Sequence, residues 1–125
     1  MAKKRILLVD DEKSLTSLLK LNLEETGNYE VRVENWAEDA VPAAREFKPD
    51  LILLDIIMPR MPGGNVAAQI DTDPVLKGTP IVFLTAAVRK HQVEENEGII
   101  CDHPCLAKPA TVEEVIAMIE KHARP

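Results

Sequence analysis

Ile6-Leu7-Leu8-Val9 runs straight into Asp10-Asp11, and this junction of an aliphatic run with two carboxylates organises the reading of the whole chain. Further apolar runs end in the same way. Leu51-Ile52-Leu53-Leu54 meets Asp55, Ile81-Val82-Phe83-Leu84 meets Thr85, and the short Cys105-Leu106-Ala107 meets Lys108-Pro109. In an open parallel sheet, ligands bind just outside the carboxyl ends of the strands. If these runs are neighbouring strands, their ends gather three carboxylates, a hydroxyl and an ammonium around one small pocket.

The intervening segments carry helical patterning, so the chain alternates strand and helix in the manner of repeated βα units. Leu15, Leu18, Leu19 and Leu23 recur at helical spacing, and Gly27 supplies a stop. Residues 29–33 alternate in polarity, as an edge strand does, whereas Leu51 to Leu54 is apolar on both faces and belongs in the sheet centre. Ala37, Ala40, Val41, Ala44 and Phe47 outline a second helix. Pro42 inside it costs about 3 kcal/mol unless it falls in the first turn, so this helix either kinks or begins later than its pattern suggests. A rigid Pro- and Gly-rich loop, Met58 to Gly64, precedes a short helix from about Asn65 to Ile70. Residues 89–97 read as a polar helix with weak patterning. Thr111 and Glu114 make a capping box for the last helix, whose buried stripe is Val112, Val115, Ile116 and Ile119.

Right-handed crossovers through these units give a three-layer, doubly wound (βα)5 sandwich. The acidic pair places the first strand centrally and leaves the second at the edge, which yields a parallel five-stranded sheet of order 2-1-3-4-5. At 125 residues the chain fits a single domain, 1–125, with no output domain expected beyond its last helix. A formal charge of −6 argues against a general nucleic-acid surface. No apolar stretch is long enough for a membrane span, and the first apolar run meets aspartates too soon for a signal peptide, so a cytoplasmic location is expected. Cys101 and Cys105 are not expected to pair in a reducing compartment.

The chemistry of the strand ends points one way. Asp10, Asp11 and Asp55 would repel one another unless a cation joins them. Mg²⁺ prefers oxygen ligands and often binds one or two carboxylates together with phosphate oxygens. A carboxylate in such a site can attack phosphorus, while Lys108, the Thr85 hydroxyl and the cation stabilise charge on the transferred group.

At this point the residues resemble a known family. Asp10-Asp11 after a strand, Asp55-Ile56-Ile57-Met58-Pro59, Leu84-Thr85-Ala86 and Lys108-Pro109 look like the receiver domain of two-component response regulators, the CheY-like superfamily with a flavodoxin-like fold. The resemblance implies that Asp55 is the phosphoacceptor, with Thr85 and Lys108 contacting the phosphoryl group. It implies Mg²⁺ held by Asp11, Asp55 and the Ile57 carbonyl, with Asp10 acting through a metal-bound water. The implied phosphodonor is a histidine kinase or phosphotransfer protein. The implied output is a phosphorylation-switched surface for a downstream protein target, on a monomer or weak dimer with no nucleic-acid or membrane partner. Such a domain has limited self-phosphorylation and self-dephosphorylation chemistry and is not expected to be an enzyme.

Two positions depart from the family pattern. Cys105 stands where a switch Tyr or Phe is usual, three residues before the lysine, and Ala110 stands where Phe is common. These changes leave room for a receiver-like interaction module that works without phosphate. A phosphatase with an aspartyl-phosphate intermediate typically needs a second acid at the position of Ile57, and a flavodoxin-like cofactor binder needs a Ser-, Thr- and Gly-rich first loop. Cys101, His103 and Cys105 raise a zinc possibility, outweighed by that of a buried free cysteine. Trp36 is expected to pack over the second helix.

Overall fold

Strand β1 (Lys4–Val9) lies between β2 (Tyr29–Glu34) and β3 (Leu51–Leu54) and runs parallel to both. The computed structural model describes residues 3–56, 58, 63–85, 99–100 and 103–124, with 63, 85, 99 and 100 described through their backbone alone. Beyond β3 come β4 (Ile81–Thr85) and β6 (His103–Ala107), again parallel. The parallel strands therefore stand in the expected order, with β1 and β3 inside and β2 at one edge.

The far edge differs from expectation. A two-residue strand, β5 (Ile99–Ile100), pairs antiparallel with the start of β6, through Ile99 with Pro104 and Ile100 with His103. Among the described residues the sheet thus has six strands in the order β2-β1-β3-β4-β6-β5. Such a pairing covers backbone donors and acceptors that β6 would otherwise present at an open edge. A run of two residues has no periodicity by which a sequence reading can find it.

Each central strand is buried on both faces, and the alternation of side chains divides the core into two layers. Leu7, Val9, Ile52, Leu54, Ile81 and Phe83 face one way. They meet the α2 helix (Ala40–Phe47) through Ala40, Ala43, Ala44 and Phe47, and the α3 helix (Gly63–Thr72) through Val66, Ala67 and Ile70. Ile6, Leu8, Leu51, Leu53, Val82 and Leu84 face the other way. They meet α1 (Lys13–Glu25) through Leu19 and Leu23, and α4 (Val112–His122) through Val115 and Ile119. Full burial of each such aliphatic side chain is worth about 1.5–3 kcal/mol, so the two layers hold the sheet between its helices.

The helices follow their sequence signals with local exceptions. In α1, Leu18 belongs to the helical apolar pattern but is 57% exposed, and Thr16 is buried. Gly27, at φ 82°, ends that helix as expected. Pro42 falls in the first turn of α2, after a 3-10 turn at Ala37–Asp39, where its missing N–H leaves no helical bond unmade. The α3 helix begins at Gly63, two residues before the expected start, and reaches Thr72. The capping box of α4 is formed: Thr111 Oγ1 accepts from the Glu114 N–H at 3.1 Å, and Glu114 Oε1 accepts from the Thr111 N–H at 2.9 Å. The helix expected at 89–97 lies outside the described residues. No helix among the described residues is long and apolar enough to cross a membrane.

At the amino-terminal end of the sheet, the Tyr29 hydroxyl donates to Glu120 at 2.6 Å and Lys4 Nζ donates to the same carboxylate at 3.1 Å. This contact ties β1, β2 and α4 together. Burial, then the neighbouring carboxylate, pushes the Tyr29 phenol up to about 12.

Candidate functional site

The register of the sheet brings the predicted residues together. Val9 pairs with Leu54, so Asp10 and Asp55 emerge side by side from β1 and β3. Thr85 pairs with Ala107, which puts the end of β4 beside Lys108. The Asp10 N–H donates to the Glu34 carbonyl at 3.1 Å, and the Asp55 N–H donates to the Val9 carbonyl at 3.0 Å. The ladder therefore fixes both acids at the backbone.

Asp10 is 1% exposed and Asp55 5%, whereas Asp11 is exposed. Ligand oxygens of all three lie within 4.8 Å of one another. The largely buried Lys108 ammonium stands 2.7 Å from Asp10 Oδ2, 3.1 Å from Glu12 Oε1 and 3.6 Å from Asp55 Oδ2. Asp10 Oδ1 accepts from the Glu12 N–H at 3.0 Å. Asp10 Oδ2 is in ionic contact with Lys108, but the directions do not meet hydrogen-bond geometry, so this buried oxygen has charge compensation without a directed donor.

The electrostatics reflect that crowding. Burial raises the Asp10 carboxyl above its ordinary range and outweighs the opposing pull of Lys108 and the Glu12 amide. For Lys108, burial acts downward, but the surrounding carboxylates, Asp10 foremost, prevail and leave the ammonium with a raised pKa. Both shifts favour the proton-bearing forms, driven by burial at Asp10 and by the neighbouring carboxylates at Lys108.

This set of hard oxygen donors fits a divalent cation. Mg²⁺ requires oxygen ligands and retains waters, and Asp10 Oδ2 offers a buried lone pair with no directed partner. Of the other expected site residues, Thr85 has its backbone at the site, while its side chain and the whole of Ile57 lie outside the described residues.

Sequence reading missed Asn35 and Glu12. Asn35 Nδ2 donates to the Asp10 carbonyl at 2.8 Å and to Thr16 Oγ1 at 3.1 Å. Glu12 adds a carboxylate, 59% exposed at its side chain, at the outer side of Lys108. Next to this pair, a groove of about 290 Å³ opens between α1 and α4, walled by Leu15, Leu19, Leu84, Val115 and the small Ala110.

His103 and Cys105 join no cluster of three ligating groups among the described residues. His103 Nε2 lies 2.7 Å from Asp71 Oδ2. Cys105 is buried, and burial pushes its thiol up to about 11, the behaviour of a core cysteine rather than a thiolate ligand. Cys101 lies outside the described residues. Trp36 is 45% exposed.

A doubly wound parallel sheet that gathers acids and a lysine at its strand ends defines the CheY-like class of α/β domains. The family model of the response regulator receiver domain matches residues 6–120, and the chain belongs to that family, the receiver domains of two-component systems. It is 42% identical over 83 residues to the alkaline phosphatase synthesis transcriptional regulatory protein PhoP of Bacillus subtilis, covering 66% of this chain and 33% of that protein. It is 40% identical over 84 residues to the DNA-binding response regulator MtrA of Mycolicibacterium smegmatis, covering 67% and 35%. The chain thus spans about a third of the length of these curated relatives. Among solved structures, the chemotaxis protein CheY4 of Vibrio cholerae superposes with a TM-score of 0.81 at 26% identity, covering 96% of this chain and 98% of that one.

Proposed function

We propose that this domain accepts a phosphoryl group on Asp55 from the phosphohistidine of a histidine kinase or phosphotransfer protein, and that the modification switches a protein-docking surface. The observation that carries this reading is the cluster itself: three carboxylates within 4.8 Å, with Lys108 beside both buried members. In the reaction, an Asp55 carboxylate oxygen attacks phosphorus as the phosphorus–nitrogen bond breaks. The electron pair of that bond stays on the imidazole, which leaves neutral after proton uptake, and Asp55 becomes an acyl phosphate.

Asp10, Asp11 and Asp55 would hold Mg²⁺, which when bound supplies positive charge to offset the carboxylates and the phosphoryl oxygens. Lys108, 3.6 Å from Asp55 Oδ2, is within reach of oxygens added there and can exchange a carboxylate partner for a phosphoryl one. The modification adds negative charge to a pocket that already gathers three carboxylates beside one lysine, which is the kind of local change that biases a two-state surface. We assign the domain a phosphoacceptor role rather than that of an enzyme acting on a separate substrate. PhoP and MtrA are named for transcriptional and DNA-binding roles. Those names describe whole proteins, of which this chain matches about a third.

A second reading, a module that docks without phosphate, draws on Cys105. A small thiol buried in the core replaces the aromatic side chain that the family commonly moves on switching. Incubation with acetyl phosphate and Mg²⁺, followed by intact mass, separates the two. A phosphoryl adduct on the parent, absent from Asp55→Asn and absent without Mg²⁺, is the expected result. No adduct together with no fluoroberyllate binding would favour the phosphate-independent module.

A further inference from the structure

Asp11 is the exposed member of the acidic cluster, and among the described residues no hydrogen bond reaches its side chain. Its position therefore depends on the backbone on either side of it. After it, the Glu12 N–H is held by Asp10 Oδ1 at 3.0 Å. Before it, the Asp10 carbonyl, which belongs to the peptide joining the two acids, accepts from Asn35 Nδ2 at 2.8 Å.

Asn35 is itself held from a second side. Its Nδ2 also donates to Thr16 Oγ1 at 3.1 Å, and Thr16 Oγ1 donates to the Lys13 carbonyl at 3.1 Å. That chain of bonds fixes the direction of the amide. A backbone carbonyl only accepts, and the Thr16 proton is already committed to Lys13, so both partners require the NH₂ end of Asn35. Thr16 is 1% exposed on α1, so the anchor is packed into the fold. One side chain following β2 thus links the end of β1 to the first turn of α1 across the acidic loop.

We infer that Asn35 is a positioning residue for divalent-cation binding: by clamping the Asp10–Asp11 peptide to Thr16, it presents the Asp11 carboxylate to the site shared with Asp10 and Asp55. This inference rests on the phosphoacceptor reading only in taking the cluster to bind Mg²⁺. Groups that orient metal ligands in this indirect way typically affect affinity about 10- to 100-fold. The lower end applies here, because Asn35 holds the backbone of one ligand rather than a ligand atom.

The test is calorimetric titration of the full chain with Mg²⁺, comparing the parent with Asn35→Leu, Asn35→Gln, Thr16→Val and the double variant Thr16→Val/Asn35→Leu. Asn35→Leu should weaken Mg²⁺ binding roughly 10-fold, while far-UV circular dichroism stays unchanged. Asn35→Gln keeps a donor amide and should recover part of the loss. Thr16→Val should weaken binding by a smaller factor, and the double variant should bind no more weakly than Asn35→Leu alone, because both changes break one chain of bonds. If Asn35→Leu does not fold, the Gln and Val variants carry the same comparison. Parent-like affinity in the Asn35 and Thr16 variants would overturn the positioning role and leave the phosphoacceptor reading standing. An absence of Mg²⁺ binding in the parent would overturn both.

Discussion

The ammonium of Lys108 stands 2.7 Å from Asp10 Oδ2, with Asp10 only 1% exposed, so the shortest of the lysine's three ion pairs is also its most buried. Removing one member of a buried pair strands the other charge, at a cost of about 3–5 kcal/mol where the remaining group cannot adapt. Asp10 can adapt by taking up a proton, so Lys108→Met should lower stability by a smaller amount, on the order of 1–3 kcal/mol. Urea denaturation with and without millimolar Mg²⁺ checks this. The loss should shrink when the cation is present, and an equal loss in both conditions would contradict the charge-balance account.

Removing the carboxylate should have the opposite sign. Burial raises the folded-state pKa of Asp10 above its ordinary value of 3.8, despite Lys108 and the Glu12 amide. A group shifted in that direction contributes stability below its unfolded pKa and loses it as pH rises through the folded value. At neutral pH the ionised Asp10 therefore burdens the cation-free fold. Asp10→Asn should raise the thermal midpoint at pH 7 by on the order of a few degrees, with a smaller gain near pH 4, while weakening Mg²⁺ binding. A lowered midpoint at pH 7 would contradict the sign.

Glu12 competes for the same lysine from the solvent side, 3.1 Å from Nζ. Its negative charge lies beside the lysine that would meet an anionic donor. Glu12→Gln should speed self-phosphorylation by acetyl phosphate roughly two- to fivefold at low ionic strength, the gain shrinking with added salt. Stability should change by less than about 1 kcal/mol, because the Glu12 side of the pair is 59% exposed. A slower reaction would assign Glu12 a supporting role instead.

Far from the site, Tyr29 offers a clean titration, because it is the only tyrosine in the chain. Its phenolate absorbance should appear near pH 12 rather than 10, since burial and then Glu120 favour the protonated form. Stability from this group is complete below about 10 and is lost as pH rises through the folded value. Tyr29→Phe should therefore reduce the steepness of alkaline unfolding, and Glu120→Gln should bring the parent's phenol titration down toward 10.

What the sequence made legible was whatever it encodes locally or by period. Apolar runs ending on Asp10, Asp55, Thr85 and Lys108 marked both the parallel strands and the pocket, because strand ends are adjacent in any such sheet. The capping box at Thr111 and Glu114 was equally local. Asn35 was not legible, because its role depends on reaching a carbonyl 25 positions away, and nothing in the residues around it marks that partner. Which face of α1 is buried was only partly legible, for a related reason. Hydrophobicity alone favours Leu18 for the core, but the orientation of α1 turns Thr16 inward, where Lys13 and Asn35 satisfy its hydroxyl.

The most direct test of the central claim is to locate the phosphoryl group on the chain. After incubation with acetyl phosphate and Mg²⁺, borohydride reduces an aspartyl phosphate to homoserine, and peptide sequencing by mass spectrometry reads its position. The account predicts homoserine at position 55 alone, with none at Asp10 or Asp11. Homoserine at either of those acids, or at no position despite an intact-mass adduct, would contradict Asp55 as the phosphoacceptor.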